Sequence, residues 1–371
     1  MIYLDNGATS LHKPPAVAEA MRCARENCAN PGRGGYPASV AAARTVLRCR
    51  ETTGRMFGCS PEQVVFTQNC TQGLNMAIRT LVKPGARVVI SGFEHNAVVR
   101  PLYALEAQLR VAGRKLFDWT DTLESWEAAL RQGADAAVFT HCSNVFGYIL
   151  PVKEMAELCR KYRVPFIMDA AQSAGVLPID MMALGADFIA MPGHKGLLGP
   201  QGTGMLLCNR LPEPLLYGGT GSNSRDRQMP DFLPDRAEAG TLNVPGIAGL
   251  QAGMAYLEKR GLSQISKAEQ QQMRRCVNGL EKLGFTVFSG EKQSGTVSFV
   301  PNMDCEDFSE KLAKQGICVR AGLHCAPLAH ETAGTLETGT VRVSFGHDAS
   351  AHQTGMLLLA LENTRDNVKK L

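Results

Sequence analysis

Short apolar runs recur through the first 210 residues, bounded by polar or glycine-containing segments. They are Val64-Val65-Phe66, Val88-Val89-Ile90, Ala136-Ala137-Val138-Phe139, Phe166-Ile167-Met168, Phe188-Ile189-Ala190-Met191 and Met205-Leu206-Leu207. Runs this short and continuously apolar read as strands buried on both faces. Between most of them the apolar residues return at helical spacing. That period predicts helices over 15–28, with Val17, Met21 and Ala24 on one face, and over 38–57, 71–82, 98–111, 123–131 and 152–162. Strands alternating with helices argue for a mostly parallel sheet covered on both faces.

The pattern changes after residue 210. Residues 211–243 are rich in Pro, Gly, Arg and Asp and include Gly218-Gly219-Thr220-Gly221-Ser222. A loop this long in a compact chain is usually functional or interfacial. Helices are expected over 247–259, 263–283, 304–314 and 350–363, with strands over 296–300, 317–320 and 341–345. The chain therefore reads as an α/β protein: a large domain over 1–245 and a smaller α+β domain over 246–371, with residues 1–12 packing against the small domain.

Composition narrows the class of protein. Of 371 residues, 44% are apolar and 20% charged, and the net charge of +4 comes without a Lys- or Arg-rich block. Nucleic acid and anionic membranes are poor partners for such a chain. No apolar run is long enough to span a bilayer. The opening Met1-Ile2-Tyr3-Leu4-Asp5-Asn6 lacks the regions of a signal peptide, so a cytoplasmic protein is expected. The 12 cysteines form no Cys-x-x-Cys pair, so no metal site is expected and most should be buried free thiols.

Candidate chemistry lies where the strands end. In an open α/β sheet, ligands bind beyond the carboxyl ends of strands. Asp169 ends one strand and Lys195 follows another, in Met191-Pro192-Gly193-His194-Lys195-Gly196. An amine that can form a Schiff base and a carboxylate that can keep a pyridine nitrogen protonated are the two groups pyridoxal phosphate requires. Asp169 alone would read equally well as a helix cap. Gln172 stands near enough to donate to the cofactor's phenolate. The segment from Thr67 to Asn75 follows a strand and opens a helix whose free N–H groups suit a phosphate, or else Thr71 is an ordinary N-cap. His95 and Asn144 follow two further strands. At the same sheet edge, the His95 ring could stack on the cofactor and relay protons near neutral pH.

Together these segments resemble the class V aminotransferase group of fold-type I pyridoxal phosphate enzymes, and within it the cysteine desulfurase/selenocysteine lyase branch. The likeness runs from Tyr3-Leu4-Asp5-Asn6-Gly7-Ala8-Thr9 to Val341-Arg342-Val343-Ser344-Phe345. It implies that Lys195 holds the cofactor, Asp169 partners the pyridinium, Gln172 and Asn144 lie on the phenolate side and His95 stacks. It further implies that Thr71, Gln72 and His194 contact phosphate. Glu238-Ala239-Gly240-Thr241 resembles a loop through which a second subunit supplies a threonine to the phosphate, which implies a homodimer.

Arg320-Ala321-Gly322-Leu323-His324-Cys325-Ala326 closely resembles the desulfurase motif that carries the sulfur-accepting cysteine. His324 and Arg320 beside it would favour a Cys325 thiolate, the attacking species. Arg342 matches the arginine that grips a substrate α-carboxylate, for which its planar fork is suited; the other reading is a surface or interdomain salt bridge. The expected reaction converts L-cysteine to alanine and leaves a persulfide on Cys325, for delivery to an acceptor protein. L-selenocysteine as substrate, or an aminotransferase or lyase without sulfur transfer, are the alternatives. Pro192 stands where many relatives place a hydroxyl, and Leu323 where the selenocysteine-lyase-like branch often has a second histidine.

Overall fold

A computed structural model describes residues 1–32 and 34–368. Its strands are β1 (Ile2–Tyr3), β2 (Val64–Thr67), β3 (Arg87–Ser91), β4 (Gln108–Ala112), β5 (Ala136–Thr140), β6 (Phe166–Asp169), β7 (Phe188–Pro192), β8 (Gly204–Cys208), β9 (Thr286–Phe288), β10 (Thr296–Val300), β11 (Ile317–Cys318), β12 (Arg320–Gly322) and β13 (Thr340–Ser344). Seven form one sheet in the order β2-β8-β7-β6-β5-β3-β4. Only β8 runs against its neighbours; β3, β4, β5, β6 and β7 pair in parallel. Every residue of β2, β5, β6, β7 and β8 is buried, as unbroken apolar runs require.

Register sets the site. Thr140 at the end of β5 lies beside Asp169 at the end of β6, and Asp169 beside Ala190 in β7. Three strands thus present their carboxyl ends to one crevice, and the Gly193–Lys195 loop leaves from the third.

Two sequence expectations fail for physical reasons. Residues 98–111 are not one helix: the helix Asn96–Ala104 stops, Glu106 takes φ 52°, and Gln108–Ala112 forms the sheet's edge strand. An edge strand is half exposed, so Leu109 and Val111 alternate with Gln108 and Arg110 and merge into the helical spacing before them. Residues 317–320 are not one strand either. Ile317–Cys318 pairs with β1, whereas Arg320–Gly322 joins the antiparallel sheet β12-β13-β10-β9.

The N-terminal segment is built into the smaller unit. β1 pairs with β11, Asp5 bridges to Ser344, and Leu4 is buried in the second core with Phe299, Phe308 and Val343. The helix Val244–Arg260 begins at the expected boundary, yet Val244, Ile247, Leu250 and Met254 are buried in the core of the large sheet. Beyond residue 245, residues of the second core first occur at Met273, about one long helix later. The polar stretch 211–243 marks the end of the sheet and not the change of core. No helix among the described residues is long and apolar enough to cross a membrane.

Candidate active site

One cavity gathers the strand ends. Its walls include Thr71, His95, Asn144, Asp169, Gln172 and Lys195, with Pro192 and His194 also on it. Asp169 is buried, and its Oδ1 accepts the Ala171 N–H at 2.8 Å and the Cys70 thiol at 3.5 Å. No protein donor among the described residues reaches Oδ2. A buried carboxylate with one oxygen held and the other open to a cavity suits a protonated ring nitrogen. Burial raises the Asp169 pKa, while the Ala171 N–H and Lys195 oppose the rise. For Lys195 the order reverses. Burial and then the charge of Arg342 push its amine below the usual lysine value, and Asp169 pulls it back. A desolvated lysine facing such a carboxylate is prepared for Schiff-base chemistry.

The anion end is a helix start. Asn69 caps the helix Cys70–Leu81 by accepting the Gln72 N–H at 2.9 Å, so Thr71 is not the cap. Thr71 is exposed on the first turn and its hydroxyl meets no described partner. Gln72 is turned back, its Oε1 accepting the Gln68 N–H at 2.7 Å. His194 Nδ1 lies 3.0 Å from Thr9 Oγ1, and burial lowers its pKa to about 4. Pro192 ends β7, buried and paired opposite Gly204, where it presents ring carbons and no donor. The exposed Thr71 hydroxyl on the first turn of a helix and an open Asp169 oxygen in one cavity fit a pyridoxal phosphate.

His95 is the N-cap of the helix Asn96–Ala104, with Nδ1 accepting the Ala97 N–H at 3.0 Å. Its neutral ring therefore carries its proton on Nε2. Burial, then the charges of Lys195, Arg100 and Arg342, lower its pKa to about 4. That direction favours the neutral ring, which presents its Nε2–H as a donor.

Cys325 reaches the same region from the small domain. It is exposed and lines an outer cavity with His95, Asn96, Arg100, Thr71 and Arg79; His95 and Thr71 are walls of both cavities. Residues His324 and Cys325 take φ 51° and 55°, a conformation costing L residues about 1 kcal/mol or more each. Cross-domain hydrogen bonds hold it: the Asn96 N–H donates to Cys325 O at 2.7 Å, and Asn144 Nδ2 to His324 O at 2.8 Å. The His324 side chain does not charge the thiol's surroundings. It stacks on His330 with ring centroids 5.7 Å apart, and burial lowers its pKa to about 2. His324 is a neutral strut.

Arg342, in β13, is buried and committed. Its Nη2 donates to Asp5 Oδ1 at 2.5 Å and its Nη1 to Asn144 O at 2.9 Å, while Nε has no partner. Arg320 is half exposed, with Nε donating to Asp5 Oδ2 at 3.1 Å. The two arginines expected to bind substrate thus share one carboxylate. Gln172 Nε2 likewise donates to Gly7 O at 3.0 Å, which ties the crevice to the N-terminal segment. Thr241 is apart from all of these. It lines a separate cavity with Thr67, Gln68 and Gln72, in a loop anchored by Glu238, which accepts from Arg50 Nη2 and the Phe66 N–H, both at 2.6 Å.

The other cysteines give contrast. Cys49, Cys142, Cys159 and Cys276 are buried, and burial pushes each thiol up to about 12. Cys23 is exposed, but its thiol donates to Glu19 at 3.2 Å, which raises its pKa. Sequence reasoning missed Cys70, Asp5 and Glu94. Glu94 is buried, accepts from Ser91 Oγ and the Thr140 N–H, and is pushed up to about 8 by burial. The signal was present for Glu94, a charged residue between an apolar strand and His95. Among the described residues no three His, Cys, Asp or Glu side chains form a metal-holding group.

Comparison with known proteins agrees with this geometry. The sequence profile of Aminotransferase class-V matches residues 2–357. A probable cysteine desulfurase of Methanothermobacter thermautotrophicus is 32% identical, covering 97% of this chain and 94% of that protein. One of Pyrococcus abyssi is also 32% identical, over 98% and 94%. The apo structure of a cysteine desulfurase from Thermococcus onnurineus superposes with a TM-score of 0.91 at 32% identity, covering 99% and 95% of the two chains. The chain belongs to the class-V aminotransferase family, in its cysteine desulfurase branch.

Proposed function

We propose that the protein is a pyridoxal phosphate-dependent cysteine desulfurase that converts L-cysteine to L-alanine and holds the sulfur on Cys325. The observation that carries this reading is an exposed cysteine at the mouth of a cavity floored by Lys195 and Asp169, with His95 and Thr71 shared between mouth and floor. Pyridoxal phosphate, when bound, supplies an electrophilic carbon and an electron sink that acidify the substrate's Cα–H. Asp169 holds the proton on the ring nitrogen, Thr71 and the helix start hold the phosphate, and His194 braces the loop that carries the lysine. Lys195, its pKa lowered, takes and returns the Cα proton. Arg342 and Arg320, which both hold Asp5, would exchange that carboxylate for the substrate's α-carboxylate. Asn144 holds the Cys325 loop against the cavity.

The sulfur step balances without an outside oxidant. Cys325 Sγ forms an S–S bond to the substrate sulfur as the substrate C–S bond breaks; the carbon is reduced to the methyl of alanine and the thiol is oxidised to a persulfide. A second copy of the chain would bring Thr241 to the phosphate, beside this chain's own Thr71 and Gln72, which gives a homodimer with shared sites, and an acceptor protein would collect the sulfur at the exposed Cys325. Incubation of the cofactor-loaded protein with L-cysteine should release alanine and, with a reductant, sulfide in equal amounts. Turnover of a keto acid with no sulfide would overturn the reading.

A further inference from the structure

Lys195 borders a second cavity, between the domains. Its walls include Asn6, Gln172, Lys195, Ser294, Glu269 and His347. Glu269, on the helix Leu262–Lys282, is 5% exposed yet has no hydrogen-bond or ion-pair partner among the described residues. A buried carboxyl without a protein partner is costly unless it is neutral or meets water. His347, half-buried, leaves Nδ1 equally unpartnered. Its neighbour Asp348 pairs with the exposed His12 at 3.0 Å. Lys195, Glu269 and His347 thus line one cavity, and Asp348, next to His347 in the chain, pairs with His12 at the surface.

We propose that this cavity is a proton path, in which Glu269 passes protons through intervening water between the Lys195 amine and the His347–Asp348 end. The role rests on the reading of Lys195 as the carrier of the substrate's Cα proton. With cofactor and substrate bound in the other cavity, this one would remain as the lysine's way to solvent. Burial, then the charge of Asp348, raise Glu269 to about 8, with Arg260 opposing. His347 is lowered by burial, against Asp348 and with Arg260, His12 and Lys13. Lys13 is itself lowered to about 8 by burial. Glu269 therefore holds a proton at neutral pH and can release it near pH 8, whereas a glutamine cannot.

The experiment is turnover of unlabelled L-cysteine by the loaded enzyme in D2O, with the Cα of product alanine read by proton NMR. The wild type should return alanine largely deuterated at Cα, because Lys195 exchanges with solvent between accepting and returning the proton. In Glu269→Gln the protium retained at Cα should rise about threefold or more, with Glu269→Asp partly restoring exchange. Equal protium in wild type and Glu269→Gln overturns the path. If Glu269→Gln does not fold, His347→Gln must raise the protium in its place, and unchanged protium there overturns the path as well. A cofactor-free readout is the carboxyl-carbon titration of 13C-glutamate-labelled protein. A resonance titrating near pH 8 that is lost in Glu269→Gln supports the role, and a Glu269 resonance titrating in the ordinary carboxylate range overturns it. A wild type that forms no alanine overturns the desulfurase reading first, and the proton path with it.

Discussion

The floor of the site and the loop at its mouth are built differently. Asp169 ends the buried strand β6, and Lys195 follows within three residues of the adjacent buried strand β7, whose parallel register with β6 sets the two side by side. Cys325 sits on backbone with positive φ at two successive positions, held to the large domain by Asn96 and Asn144. The floor needs fixed charges near a ring, so rigidity serves it. The mouth must reach inward to a substrate sulfur and outward to an acceptor. A few replaceable hydrogen bonds suit that double duty better than a sheet.

Changes at the floor should be total and changes at the hinge graded. Lys195→Ala is expected to lose the absorbance band near ~420 nm and about a thousandfold or more of alanine formation. Retention of the band would break the assignment of the floor. Asn144→Ala removes the bond from Nδ2 to His324 O, worth about 1 kcal/mol, and should slow persulfide formation about fivefold while the band persists. Loss of the band in that variant would mean that Asn144 serves the cofactor and not the loop.

The smallest effect concerns stability and not turnover. Glu94, under the floor, has its pKa raised by burial to about 8, far above the usual carboxylate range. Between those values the unfolded chain gives up this proton and the folded one keeps it, so stability falls as pH rises through the interval. Glu94→Gln removes that dependence. Its melting temperature relative to wild type should climb by several degrees between pH 5 and about pH 8. A constant difference across that range would show that Glu94 is already ionised in the fold.

Legibility in the sequence follows the same division. The buried strands announce themselves as apolar runs, and strand ends carry the floor residues in known order, so Lys195, Asp169, His95 and Asn144 could be placed on one edge before any coordinates. Edge strand β4 escaped because half-exposed alternation imitates helical spacing. The charge states escaped for another reason: they depend on burial and on distant neighbours. His324 reads as a cation beside Cys325, yet it is neutral against His330; Arg342 reads as an open carboxylate clamp, yet it holds Asp5, 337 residues away along the chain. Asp5 and the Cys70 thiol act through tertiary neighbours that no local pattern encodes, and Glu269 through its burial.

The central claim is that the exposed thiol at the mouth receives the sulfur released at the floor. Intact-protein and peptide mass spectrometry after a brief exposure of the loaded enzyme to L-cysteine tests it directly. The account predicts one added sulfur, about 32 Da, located on Cys325, lost on treatment with dithiothreitol and absent in Cys325→Ser, whose absorbance band is unchanged. Sulfur on another cysteine, or alanine formed at the wild-type rate by Cys325→Ser, would contradict it.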